Sequence, residues 1–127
     1  MTHPIVMLQA ALVGALRAEL EPPVFDAPPR ETAPPYVAIA RHDVLPRDGD
    51  AAPGHEHRLL LHVWAADASR KSALAIAEAV VEIALDVASE DIAVTLRRHD
   101  RTDTAIDAAT GRARAAIGLT FYTEALS

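Results

Sequence analysis

Six of the nine prolines fall between residues 22 and 35 (Pro22, Pro23, Pro28, Pro29, Pro34, Pro35), and this cluster divides the chain before any other feature does. Proline has no backbone N–H, cannot continue a helical ladder, and biases its predecessor away from helical geometry. One regular element must therefore end near Glu21, and the next must wait until Tyr36. Upstream, Ile5, Leu8, Leu12, Leu16 and Leu20 recur at three- and four-residue spacing and form one apolar stripe, the mark of an amphipathic helix. Gln9, Arg17 and Glu19 fall off the stripe, and Pro4 sits in the first turn, where a missing N–H costs nothing. Val24-Phe25-Asp26 between the prolines reads as a very short strand, and the rest as connector stiffened by proline.

After the prolines the period changes. Residues 36–41 (YVAIAR) read as a strand, rich in β-formers. Residues 42–57 carry two prolines, two glycines and four acids with no apolar period after Leu45, and read as a long surface loop or extended hairpin tip. Residues 58–65 (RLLLHVWA) form the next strand. Both of its faces are largely apolar, so it belongs in the middle of a sheet. Asp67 or Ser69 caps a second helix. Its buried face runs through Ala73, Ile76, Ala77, Val80, Ile83, Ala84 and Val87. Glu78, Glu82 and Asp86 form an acidic outer stripe, and Leu74, Val81 and Leu85 widen the apolar sector. Ile92, Val94 and Leu96 alternate in a third strand that residues 98–103 extend or end. From Arg112 to Glu124, Ala113, Ala115, Ile117, Leu119 and Phe121 alternate with Arg112, Arg114, Ala116, Gly118, Thr120, Tyr122 and Glu124 in the last strand.

The order is α-(β)-β-β-α-β-β. It predicts a single α+β domain over residues 1–127: an antiparallel sheet of four to five strands with both helices packed on one face. Trp64, His62 and Tyr122 are expected on the opposite face, which is too apolar in places to be only a solvated surface.

Several functions are disfavoured by composition. The chain has 127 residues and no cysteine, so disulfides, thiol nucleophiles and thiolate zinc sites are excluded. Eighteen acids against twelve bases give a formal charge of −6, which argues against general binding to nucleic-acid phosphates. No apolar run reaches the ~18 residues of a membrane span. The first twenty residues lack a basic n-region, so no cleaved signal peptide is expected. Only Lys71 among the twelve bases is a lysine. Eleven arginines suit bidentate contacts at interfaces, and they equally suit the alanine-rich composition of a GC-rich genome.

Chemistry-bearing patterns are sparse. His55 and His57, two apart on an extended chain, point to one side, and with His62 they are the candidate metal ligands; no third ligand is fixed, and the pattern also fits a solvated loop end. His42-Asp43 and His99-Asp100 are sequence neighbours, and on a strand neighbours point to opposite faces. No serine lies in a nucleophile elbow, and the five glycines form no phosphate loop. Glu90-Asp91 reads as a turn ahead of a strand. Arg97, Arg98, Arg101, Arg112 and Arg114 gather at one end of the last hairpin, with Asp100, Asp103 and Asp107 among them. They form either a subunit-contact patch with intermolecular Arg–carboxylate pairs or a solvated end whose charges cancel.

Taken in order, the pieces resemble the tail terminator, or tail-completion, proteins of long-tailed phages and gene transfer agents. The residues that carry the resemblance are the opening helix ending in VFDAPP (24–29), the strand opening PPYVAI (34–39), LHVWA (61–65) followed by a helix near Ser69-Arg70, and RTD (101–103) ahead of a strand ending in LTF (119–121). The resemblance implies a structural protein without catalytic residues or cofactor. It implies a homo-oligomeric ring, typically a hexamer, that caps the tail tube, ends its growth and joins it to the head connector. The implied partners are the tube protein and a head-side connector or stopper, with DNA passing through the channel without specific binding and no membrane involved. The implied locations are the host cytoplasm during assembly and then the particle neck. On that reading the contact residues are Arg47, Asp48 and Asp50 in the 42–57 segment, and Arg98, Arg101, Asp103, Asp107, Arg112 and Arg114 around the last hairpin. Two other readings stay open: a small metal- or ligand-binding α+β domain using His55, His57 and His62, and another head–tail connector such as a stopper.

Overall fold

The computed structural model describes residues 3–48 and 53–126. Helix α1 (Pro4–Glu19) is followed by strands β1 (Val24–Phe25), β2 (Tyr36–Asp48) and β3 (Pro53–Trp64), helix α2 (Arg70–Ala84), and strands β4 (Ala93–Ile106) and β5 (Ala113–Glu124). The class is α+β and the element order is the expected one. The sheet runs β1-β2-β3-β5-β4. The expected antiparallel sheet is in fact mixed, because β1 pairs with β2 in parallel. A parallel pair needs a returning connection rather than a tight turn, and residues 26–35 provide it.

Both helices cover one face. The α1 stripe buries Leu8, Leu12 and Leu16 completely or nearly so, and α2 buries Ala73, Ala77, Val80 and Ala84. They meet Val37, Leu59, Leu61, Val63, Ala115, Ile117, Leu119 and Phe121 from the strands. Ile76 and Ile83 are only half-buried. Leu74 and Leu85 stay 43% and 39% exposed, so the apolar sector of α2 is wider than this chain's own sheet can cover. Ser69 is the α2 cap, accepting from the Ser72 amide at 3.1 Å, while Asp67 accepts from the Ser69 amide at 3.0 Å. Arg17 reaches back from the end of α1 and donates from two guanidinium nitrogens to the Val24 carbonyl, at 3.0 and 2.8 Å, which docks β1 against the helix.

The strands run longer than the apolar alternation suggests. Of the two expectations for 42–57, the extended hairpin holds and the long loop does not: residues 42–48 and 53–57 are paired strand, with Val44 opposite His57 and Pro46 opposite His55. Ladder hydrogen bonds are made by the backbone, so a polar run can extend a hairpin whose apolar half fixes the register. Likewise β4 continues through Asp100 and Asp103 to Ile106. Two register shifts, near Thr95 and Asp100, bend it along the sheet edge. The closing turn is set by Asp107, whose carboxylate accepts from the Thr110 amide and hydroxyl, and by Gly111 at φ +72°, a left-handed position.

Gly54 is held between neighbouring backbones. A Cβ there would lie 2.9 Å from the Arg47 carbonyl oxygen and 3.2 Å from that of Thr123. Neither atom can swing away as a side-chain tip could. Gly54→Ala is expected to cost about 1–3 kcal/mol, read as a lower urea midpoint, because β2 and β5 must both yield.

Candidate functional site

The helices leave the other sheet face without a covering layer. Register places Tyr36, Ala38, Arg41 and Asp43 of β2, Leu60, His62 and Trp64 of β3, and Arg114, Ala116, Gly118, Thr120 and Tyr122 of β5 on this face. It carries a repeated device: an arginine bonded to an acid two residues away on the same strand. The pairs are Arg41–Asp43 at 2.8 Å, Arg58–Glu56, Arg98–Asp100 and Arg101–Asp103, the last three at 2.7 Å. Exposed pairs of this kind contribute only about 0–1 kcal/mol each, so they do not hold the sheet together and can exchange partners. The Asp100 carboxylate is the best anchored. Burial alone would raise its pKa, but the Thr120 hydroxyl and the Arg98 guanidinium donate to it and hold it below the usual aspartate range.

The expected contact residues do not form one cluster. Arg98, Arg101, Asp103 and Arg114 lie along the open face rather than at one hairpin end, because β4 is a long strand through the polar run. Arg97 points to the other face, opposite Phe121, and donates to the Val87 carbonyl at 2.6 Å. Arg114 sits 3.8 Å from Asp103, and its Nε is buried with no hydrogen-bond partner among the described residues. Asp107 is a turn former. Arg112 borders a small cavity of about 230 Å³ with Trp64, Tyr36 and Asp107. Arg47 lies 4.1 Å above the Tyr122 ring, a cation–π contact. Asp48 ends β2, and Asp50 lies outside the described residues.

The metal candidates are not brought together. His62 is on the open face, 6.3 Å from the Trp64 ring centroid, while His55 and His57 are on the helix-covered face. Positions two apart share a side of a strand; positions five apart do not. Among the described residues no three His, Cys, Asp or Glu side chains are grouped to hold a metal ion.

His57 instead joins residues that the sequence did not single out together. The β2 register shift between Ile39 and Arg41 turns His42 toward α1. His42 Nε2 lies 2.8 Å from His57 Nδ1, and His57 Nε2 lies 2.8 Å from Thr123 Oγ1. Gln9 Nε2 of α1 lies 3.1 Å from His42 Nδ1. His57 is fully buried, and both ring nitrogens of both histidines are occupied. Desolvation by burial lowers both histidines to about 4. Gln9 and Arg17, placed off the α1 stripe by spacing alone, both carry contacts from the helix to the sheet.

A groove of about 390 Å³ runs between α2 and the β4 edge, lined by Leu74, Ala77, Val81, His99 and Thr102 with Glu78 and Glu82 on its rim. It coincides with the uncovered part of the α2 apolar sector. The molecule thus has two unlike surfaces without a partner: this groove and the arginine-bearing sheet face.

Comparison with known proteins adds a lineage to this geometry. The family described as Tail completion protein gp17 matches residues 7–123. No curated protein matches the chain. Among solved structures, a chain of the "Virion of native gene transfer agent (GTA) particle" superposes with a TM-score of 0.81 at 22% identity, over 97% of this chain and 99% of that one. At that identity the likeness establishes a shared fold.

Proposed function

The chain belongs to the tail completion protein gp17 family, whose role is structural, and from that premise we propose that its copies close into a ring, of six subunits, that caps a finished tail tube. The ring ends tube growth and joins the tail to the head-side connector or stopper. Subunits assemble in the host cytoplasm and end in the neck of a phage-like or gene transfer agent particle. The protein is not an enzyme on this reading and needs no cofactor.

The observation that carries the proposal is the extent of the family match, which takes in α1 through β5 and so includes both uncovered surfaces. The shared fold with a chain from a gene transfer agent virion supports it. A ring requires head-to-tail contacts between two different patches on each subunit, and the α2–β4 groove and the open sheet face are two such patches. The chain's formal charge of −6 suits a channel through which DNA slides, since like charge discourages sticking. Among the described residues no helix is long and apolar enough to cross a membrane.

Particles made without this protein should carry tails of irregular, excessive length and heads without tails, seen by electron microscopy. Light scattering of the pure protein at high concentration, alone and with tube, should give a mass several times that of the monomer. Tails of normal length that join heads without the protein would overturn the reading. A position on the portal side instead of the tube end would reassign it as a stopper. The β2–β3 tip, with Arg47, Asp48 and Asp50, is the proposed contact with the tube or connector. Because Gly54 is a packed strand residue and Asp48 pairs with Pro53, removing the whole 48–54 segment would also damage the sheet, so the change is confined to residues 49–52, shortened to a two-residue Asn-Gly turn. That variant should keep the oligomer mass and lose head joining; normally joined particles would release the tip from this role.

A further inference from the structure

The Gln9–His42–His57–Thr123 chain links α1 to three strands, and its direction can be read from chemistry. A glutamine nitrogen can only donate, so His42 Nδ1 must accept. Neutral His42 then carries its proton on Nε2 and donates to His57 Nδ1. His57 in turn donates from Nε2 to Thr123 Oγ1. With the Gln9 amide in this orientation every ring nitrogen has one role, and all the roles agree only while both imidazoles are neutral. A proton added to His57 Nδ1 would face the N–H of His42. A proton added to His42 Nδ1 would face the amide N–H of Gln9 unless that amide turned over.

We propose that this chain is an acid-labile latch: it fastens α1 to the sheet while both histidines are neutral, and proton uptake releases the helix. The ionisable groups around the pair are His3 ahead of α1, Asp26 after β1, Asp43 on β2 and His55 on β3; α1 and β5 contribute the neutral Gln9 and Thr123. His3 and His55 oppose a positive charge on the pair. Asp26 and Asp43 favour a charged His42, but burial outweighs them. The latch joins α1 to β2, β3 and β5, whereas the groove lies between α2 and β4.

The test is amide hydrogen exchange on the full chain from pH 7 to 4.5, corrected for the intrinsic pH dependence of exchange. Protection of α1 amides should fall at least about tenfold per pH unit below 6.5, one proton's worth of linkage, while α2 amides lose less. Gln9→Glu gives His42 an acceptor and a counter-charge, and should flatten the α1 profile. Gln9→Leu, which removes the donor, should lower α1 protection already at pH 7. Parallel loss of α1 and α2 protection in native chain and Gln9→Glu alike, or no pH effect on α1, would overturn the latch. Should the variants fail to fold, nitrogen NMR of the native chain at pH 7 decides: both rings must carry the proton on Nε2. A charged ring or an Nδ1–H on either would refute the proposal.

Discussion

Phe121→Ala should lower the unfolding free energy by about 3–5 kcal/mol, the range for emptying a buried aromatic site. Phe121 has no exposed surface and is the largest of the fully enclosed side chains. It stands on β5, between β3 and β4, so rigid backbone neighbours on both sides limit collapse into the vacated space. Out of the about 5–15 kcal/mol of a typical domain, that loss leaves a marginal protein. The check is a urea midpoint that drops with an unchanged slope, since compactness is preserved. Tyr122→Ala, one residue on but facing the open side, should cost much less in stability. If the two were equal, β5 would not divide a filled core from an uncovered face, and the open face would lose its standing as an assembly surface.

That division was readable in the sequence at β5, where strict alternation over twelve residues fixed the inward set from Ala113 to Phe121. It was equally readable in α1, where leucines at four-residue spacing and a proline stop defined the buried stripe and its end. Strand length was not. Residues 42–48 and 98–106 are polar or irregular in period, and they pair because the backbone ladder continues once the apolar half of a hairpin is in register. The sense of β1 was also hidden: two residues carry no directional signal, and only the returning path of residues 26–35 makes the pairing parallel.

The site was legible in a different way. The arginines and their acids were visible, but spacing implied a cluster at one hairpin end, and strand extension spread them along the sheet instead. Their i, i+2 pairing follows from strand periodicity once β4 is known to be strand. His55 and His57 were correctly set on one side by parity. His62, five residues from His57, belonged to the other side by the same parity. His42 could not have been joined to His57 from the sequence, because the join depends on the register shift after Ile39, a backbone irregularity with no residue signature.

The neutral histidines also predict how global stability responds to acid. A group held below its unfolded pKa binds fewer protons in the folded state, so stability is complete above the unfolded value and falls as pH drops toward the folded one. For His42 and His57 that window runs from the ordinary 6.5 to about 4. Each proton taken up on unfolding contributes about 1.4 kcal/mol per pH unit. Between pH 6.5 and 4.5 the fully enclosed His57 alone would account for about 2 kcal/mol, and His42, with partial access to water, adds less than that. His62 is lowered as well, by burial and then by Arg114, but it lies half-exposed on the open face and weighs little. Asp100, lowered from 3.8, loses its contribution only at more acid pH and leaves this window to the histidines. Urea unfolding at half-unit steps should therefore show a steady decline from pH 6.5 to 4.5 that survives His62→Asn and shrinks in Gln9→Glu. A flat profile, or one whose slope goes with His62, would mean that His42 and His57 are not held neutral in the folded protein. The buried chain would then be a packing detail with no hold on the helix.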